Sequence, residues 1–136
     1  FSTEKRSTLI GEDIENNNCN PKEYGGTFKV TRDLSTLFPK RVKNTPISEQ
    51  AITGIGIGLA LKGNLSIVEI MFGDFTSLVF DQLVQHASKF SIMYGRKIKI
   101  PFLLRTPMGA FRGYGPTHSQ SLEKHFLGIP GLGWLH

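Results

Sequence analysis

The run Leu65-Ser66-Ile67-Val68-Glu69-Ile70-Met71-Phe72 is nearly continuous in apolar residues and stops at Gly73-Asp74. It is too short for a buried helix and too apolar for a strand with one wet face. A strand of this kind is covered on both faces, as in parallel sheets flanked by helices. The rest of the chain supplies the cover. Residues 76–93 place Val79, Leu83, Val84, Ala87 and Phe90 on one side of a predicted helix. Gly26 to Phe38 carries Phe28, Val30, Leu34, Leu37 and Phe38 at helical spacing, ended by Pro39. Ser7–Ile10, Arg41–Thr45 and Lys97–Arg105 read as further strands, with Pro101 early in the last one. A short helix is expected from His118 to about Phe126. Strand and helix therefore alternate, which predicts an α/β domain with a mostly parallel sheet sandwiched by helices.

The segment Thr45-Pro46-Ile47-Ser48-Glu49 is the sharpest local signal. Pro46 cannot donate to a ladder and drives Thr45 towards extended geometry. Ser48 is a good N-cap, which puts the carboxylate of Glu49 in the first helical turn. Gly54, Gly56 and Gly58 follow inside the helix. Each costs about 0.5–1 kcal/mol relative to alanine there, so something is expected to pack closely on this helix.

In open α/β sheets, ligands bind beyond the carboxyl ends of the strands. Here that edge collects Glu12, Glu49, the Gly73–Phe75 turn and the Arg105–His118 loop. Each residue also has an ordinary account. Glu49 can serve the helix dipole, Phe75 can be core packing, Glu12 can be a strand-end surface acid, and His118 can cap a helix.

Composition narrows the function classes. At 136 residues the chain is one domain, with 39 % hydrophobic and 20 % charged residues and a formal charge of +5. The basic residues are scattered, so a solvated surface explains them better than a nucleic-acid footprint. No apolar run is long enough for a transmembrane helix, and the first residues have no signal-peptide core. A lone Cys19 excludes an internal disulfide framework and a cysteine-based zinc site. His86, His118, His125 and His136 have no metal-ligand spacing, and no metal site is predicted. The GIGIG run lies inside the predicted helix, not in a strand-to-helix turn, so it is not a dinucleotide fingerprint. No phosphate-binding P-loop and no nucleophile elbow occur. The residues alone yield a parallel α/β domain with a polar edge site containing Glu49 and His118.

Six segments carry a more specific resemblance: GED at 11–13, GGTFKVTRDL at 25–34, TPISEQAITGIGIGLALKG at 45–63, VEIMFGDF at 68–75, FDQLVQHASKF at 80–90 and RTPMGAFRGYGPTHSQSLEKHFLGIPGL at 105–132. In this order and spacing they resemble the beta subunit of thiamine-diphosphate-dependent 2-oxo acid dehydrogenases, in its transketolase-like pyrimidine-binding domain. The resemblance implies the thiamine-diphosphate-binding fold and a role in oxidative decarboxylation of a 2-oxo acid, with acyl transfer to a lipoyl carrier. It implies that Glu49 hydrogen-bonds N1′ of the cofactor's aminopyrimidine. Phe75 would pack on that ring, Glu12 would lie beside it and support Glu49, and Ile47 would touch the cofactor. His118 would be the active-site histidine. The cofactor carries the hard chemistry, and the protein positions and polarises it.

The same resemblance implies partners: an alpha-type subunit that holds the diphosphate and magnesium, and a lipoyl-bearing acyltransferase. Residues 1–136 would then be a single, truncated pyrimidine-binding domain, without the family's C-terminal domain and inactive in isolation. An oligomer in the full-length form, and a cytoplasmic or mitochondrial-matrix location, go with this expectation. Two alternatives share the fold: a non-catalytic interaction module or inert fragment, and another superfamily member such as a transketolase or deoxyxylulose-phosphate synthase. The THSQS and TPISE contexts fit those last enzymes less well.

Overall fold

The computed structural model describes residues 3–16 and 24–133; Cys19 and most of the asparagine-rich loop lie outside them. Four strands form one sheet in the order β2-β1-β3-β4, where β1 is Ser7–Gly11, β2 Val42–Asn44, β3 Leu65–Glu69 and β4 Phe102–Arg105. Every pairing is parallel, with Leu9 beside Val42 and Ile67, and Ile67 beside Leu103. The chain steps outward from β1 to β2 on one side and through β3 to β4 on the other. The switch point is thus the crevice between β1 and β3, at their carboxyl ends.

The helix of residues Glu49–Leu61, α2, covers one face. With α3, Thr76–Asp81, it buries Ile10, Ile52, Val68, Ile70, Val79, Leu83 and Phe126 in the main core. The opposite face is covered at the β1/β2 end, where Leu9, Ile14 and Val42 pack under Leu34 and Phe38. Under α2 the packing is extreme. A Cβ on Gly56 would lie 2.3 Å from the Val68 methyl Cγ2 and 3.0 Å from the Phe102 ring. The expected close approach is real at that position. At Gly54 the neighbour is the end of the Gln82 side chain, and at Gly58 there is open space.

Several predicted elements come out shorter or broken. The Gly26–Phe38 helix is reduced to α1, Leu34–Leu37, preceded by turns. Lys29 and Asp33 have φ of 62° and 64°, left-handed values that no α-helix can contain. The turn is held by the Thr31 hydroxyl donating to the Ile14 carbonyl at 2.8 Å, and Phe28 packs on Phe72 at 5.6 Å between ring centroids. Tertiary contacts thereby override the helical spacing. The helix predicted over 76–93 divides into α3, a π-turn over Gln82–Ala87, and α4, Phe90–Met93. β3 ends at Glu69, and β4 begins after Pro101. Pro101 has no N–H to give, but its carbonyl accepts from the Ser66 N–H at 2.9 Å. His118 lies in a bend; among the described residues, the only helical turn after it is a 3-10 turn at Glu123–His125. Ser48 occupies the N-cap position of α2, yet its hydroxyl makes no capping bond.

Gly56→Ala is expected to destabilise the chain by about 1–3 kcal/mol through overpacking. Gly58→Ala, in open space, is expected to stabilise it by about 0.5–1 kcal/mol. Urea unfolding of both variants checks the pair, and equal effects would contradict this packing.

Candidate functional site

The carboxyl edge is assembled by the ends of three strands. Gly11 closes β1, and a Cβ there would meet the Glu69 carbonyl oxygen at 2.8 Å, so β1 and β3 come together tightly at this point. Glu12 follows directly. The Thr45 N–H donates to the Gly11 carbonyl at 3.0 Å, which holds the entry to α2 against the same edge. This brings Glu49, in the first turn of α2, near Glu12. Both carboxyl groups are half-buried. Burial raises the Glu12 pKa, and the charges of Asp13 and Glu49 push it up further. Glu12 therefore holds a proton more readily than an ordinary glutamate, with the Glu49 carboxylate close by.

Phe72 is the centre of the second half of the edge. Phe28, Phe75, Tyr114 and His118 pack on it edge-on, with ring centroids 5.6, 5.8, 5.6 and 4.9 Å away. Phe75 and His118 also meet each other, at 5.3 Å. His118 Nδ1 is 2.8 Å from the Thr117 hydroxyl, which leaves Nε2 as the nitrogen free of that contact. The Arg112 guanidinium lies 5.2 Å from the Phe28 ring and 5.5 Å from that of Tyr114.

Of the predicted site residues, the structure brings Glu12 together with Glu49, and Phe75 together with His118. Ile47 precedes α2 and is 73 % exposed. Sequence reasoning placed Phe28 on a helix face and Phe72 in a strand, and included Asp74 and Tyr114 only as members of the edge loops, with no role of their own. Phe72 was legible as the last residue of an apolar run; its role as a hub depends on two distant loops folding over it. Arg105 forms an ion pair with the buried Glu69, its direct neighbour across β3 and β4. A cavity of about 750 Å³ runs along β4, lined by Leu83, Phe102, Arg105, Met108 and Phe126 among others. None of Glu12, Glu49, Phe75 and His118 lines it.

The residues at the edge fit the pyrimidine end of thiamine diphosphate. An aminopyrimidine presents one ring face to an aromatic group and needs a carboxyl partner at a ring nitrogen. Phe75 and the Glu12/Glu49 pair are groups of those kinds. The Thr45 hydroxyl, in the loop before Glu49, is a buried polar atom without a partner. Among the described residues, no group of three or more His, Cys, Asp or Glu is placed to hold a metal ion, and no helix is long and apolar enough to cross a membrane.

A four-stranded, all-parallel sheet with helices on its faces is the α/β architecture of a transketolase-type pyrimidine domain. The sequence profile of the transketolase pyrimidine-binding domain matches residues 2–135, and the chain belongs to that family. Its curated relatives are beta subunits of 2-oxo acid dehydrogenases. It is 42 % identical over 134 residues to 2-oxoisovalerate dehydrogenase subunit beta 2, mitochondrial, of Arabidopsis thaliana, which covers 97 % of this chain and 35 % of the relative. It is 39 % identical over 125 residues to pyruvate dehydrogenase E1 component subunit beta-4, chloroplastic, of Oryza sativa subsp. japonica, covering 91 % of this chain and 30 % of the relative. It is 40 % identical over 125 residues to pyruvate dehydrogenase E1 component subunit beta of Porphyra purpurea, covering 91 % and 36 %. The chain thus spans about a third of the length of these relatives.

The raised Glu12 pKa has a stability consequence. Between the unfolded and folded values the folded chain binds more protons, so stability falls as pH rises through that window. The window opens at the ordinary glutamate value and extends above it. Glu12→Gln is expected to flatten this fall and to raise the neutral-pH urea midpoint relative to the unsubstituted chain. A pH series of urea unfolding curves measures this, and an unchanged profile would contradict the assignment.

Proposed function

We propose that this chain supplies the pyrimidine-binding half of a thiamine-diphosphate-dependent 2-oxo acid dehydrogenase. In the assembled enzyme a 2-oxo acid is oxidatively decarboxylated and its acyl group passes to a lipoyl carrier on an acyltransferase. An alpha-type subunit provides the diphosphate and magnesium half of the site. The observation that carries this reading is the placement of two half-buried acids at one edge of the sheet, Glu12 directly after β1 and Glu49 in the first turn of α2. Similarity to the beta subunits of pyruvate and 2-oxoisovalerate dehydrogenases supports it.

Bound thiamine diphosphate supplies the electron sink that makes loss of the substrate carboxylate possible. The residues of this chain do the rest of what is described here. Glu49 would hold the pyrimidine ring by sharing a proton with its N1′ nitrogen. Glu12, protonated more readily than usual, limits the negative charge beside Glu49 and offers a second hydrogen bond. Ile47, exposed at the entry to α2, gives the ring an apolar contact. Phe75 gives it a flat face and excludes water on that side. His118, with Nδ1 turned to Thr117, presents Nε2 to the substrate oxygen on which charge develops. A cytoplasmic or mitochondrial-matrix location suits this role; the relatives named above include one mitochondrial and one chloroplastic subunit.

Calorimetric titration of thiamine diphosphate and magnesium tests the reading. Binding is expected in a mixture of this chain with an alpha-type subunit and not with this chain alone. Glu49→Ala is expected to weaken binding in the mixture about 10- to 100-fold, the range for one hydrogen bond to a charged group. Unchanged affinity in the variant would overturn the role of Glu49.

A further inference from the structure

The mechanism above uses His118 but does not explain what holds it, since no helix anchors that part of the chain. The loop from Thr106 to Gln120 is rich in glycine, with Gly109, Gly113, Gly115 and Phe111 all at positive φ. Its backbone has little regular structure of its own. It is nevertheless fixed at both ends to the same short 3-10 turn, Gly73–Phe75. At the near end the Gly73 N–H donates to the Pro107 carbonyl at 2.9 Å, and Met108 lies where a Cβ on Gly73 would be. At the far end the Asp74 carboxylate, only 7 % exposed, accepts from both donors of Gln120: the backbone N–H at 3.2 Å and the side-chain Nε2 at 2.8 Å. The acceptor is the same oxygen, Oδ1, in both bonds. Gln120 is two residues beyond His118, and Asp74 is adjacent to Phe75, which touches the His118 ring.

We infer that Asp74 and Gln120 form a clasp that positions His118 against Phe72 and Phe75 for the reaction. A charge-assisted pair of bonds to a buried carboxylate is stronger than a neutral contact. Its loss leaves a buried acceptor unsatisfied. The clasp holds the loop end while the glycines before it stay free to adapt. Asp74 and Gln120 act through His118 and need not touch substrate or cofactor, so they are positioning residues. The inference rests on the catalytic reading of His118.

The test has a structural and a kinetic arm. The His118 imidazole lies edge-on to two phenyl rings, whose ring currents displace its proton resonances from free-imidazole positions. The resonances are assigned by their loss in His118→Gln. In ¹H–¹³C spectra of the chain, Asp74→Ala and Gln120→Glu are expected to return them to free-imidazole positions, and Asp74→Asn, which keeps an acceptor oxygen, to retain most of the displacement. Gln120 is exposed, so Gln120→Glu tests the clasp even where Asp74→Ala unfolds the chain. Displaced His118 resonances that persist in a folded Gln120→Glu protein would overturn the clasp. In the enzyme assembled with an alpha-type subunit, Gln120→Glu is expected to lower kcat at least tenfold with cofactor affinity unchanged. Loss of activity in His118→Ala but not in Gln120→Glu would overturn the positioning role alone. Full activity in His118→Ala would instead remove the catalytic reading of the histidine on which it rests.

Discussion

The place of Glu49 at the carboxyl edge depends on how closely α2 lies on β3. Gly56 is the point of contact, and the space where its side chain would be is filled by Val68 and Phe102. No other residue type permits that separation without movement of the sheet or the helix. The helix is stiff, so a fixed contact near its middle also fixes its first turn. Glu49 is thereby carried to the edge of the sheet without help from a side-chain cap, since Ser48 makes no capping bond. The glycines of α2 weaken the helix as an isolated element and serve its docking at Gly56.

A second close approach, Gly11 on Glu69, brings the ends of β1 and β3 together and sets Glu12 beside Glu49. Two like charges at the end of a parallel sheet are unfavourable unless one carries a proton or a ligand shares it. Burial is the main reason the Glu12 pKa is raised, with the charges of Asp13 and, least, Glu49 adding to it. The aromatic shelf around Phe72 is built by different means. It draws rings from the segment between β1 and α1, the exit of β3 and the long loop after β4.

This difference explains what the sequence made legible. The parallel sheet, the position of Glu49 at the start of α2 and the placement of Glu12, Phe75 and His118 on one edge were readable from apolar runs and turn residues. Close packing on the glycine helix was readable too, though only its position at Gly56 is tight. The Gly26–Phe38 helix was not: Phe28 is drawn to Phe72, and left-handed Lys29 and Asp33 break the spacing that the apolar residues suggested. Likewise His118 looked like a helix start because Ser and Gln follow it, whereas His118 lies in a bend and Gln120 is committed to Asp74. Both failures come from long-range partners, which a local pattern does not contain. The family resemblance supplied the chemistry of the site, which neither spacing nor charge could name.

In the proposed reading, the acids at the end of β1 and at the start of α2, with Phe75 beyond β3, receive an aminopyrimidine. The most direct measurement is amide and side-chain NMR mapping of this chain during titration with the isolated aminopyrimidine half of thiamine. The account predicts saturable shifts centred on Gly11, Glu12, Ser48, Glu49 and Phe75. Shifts confined to the cavity along β4, around Phe102, Met108 and Phe126, would contradict it.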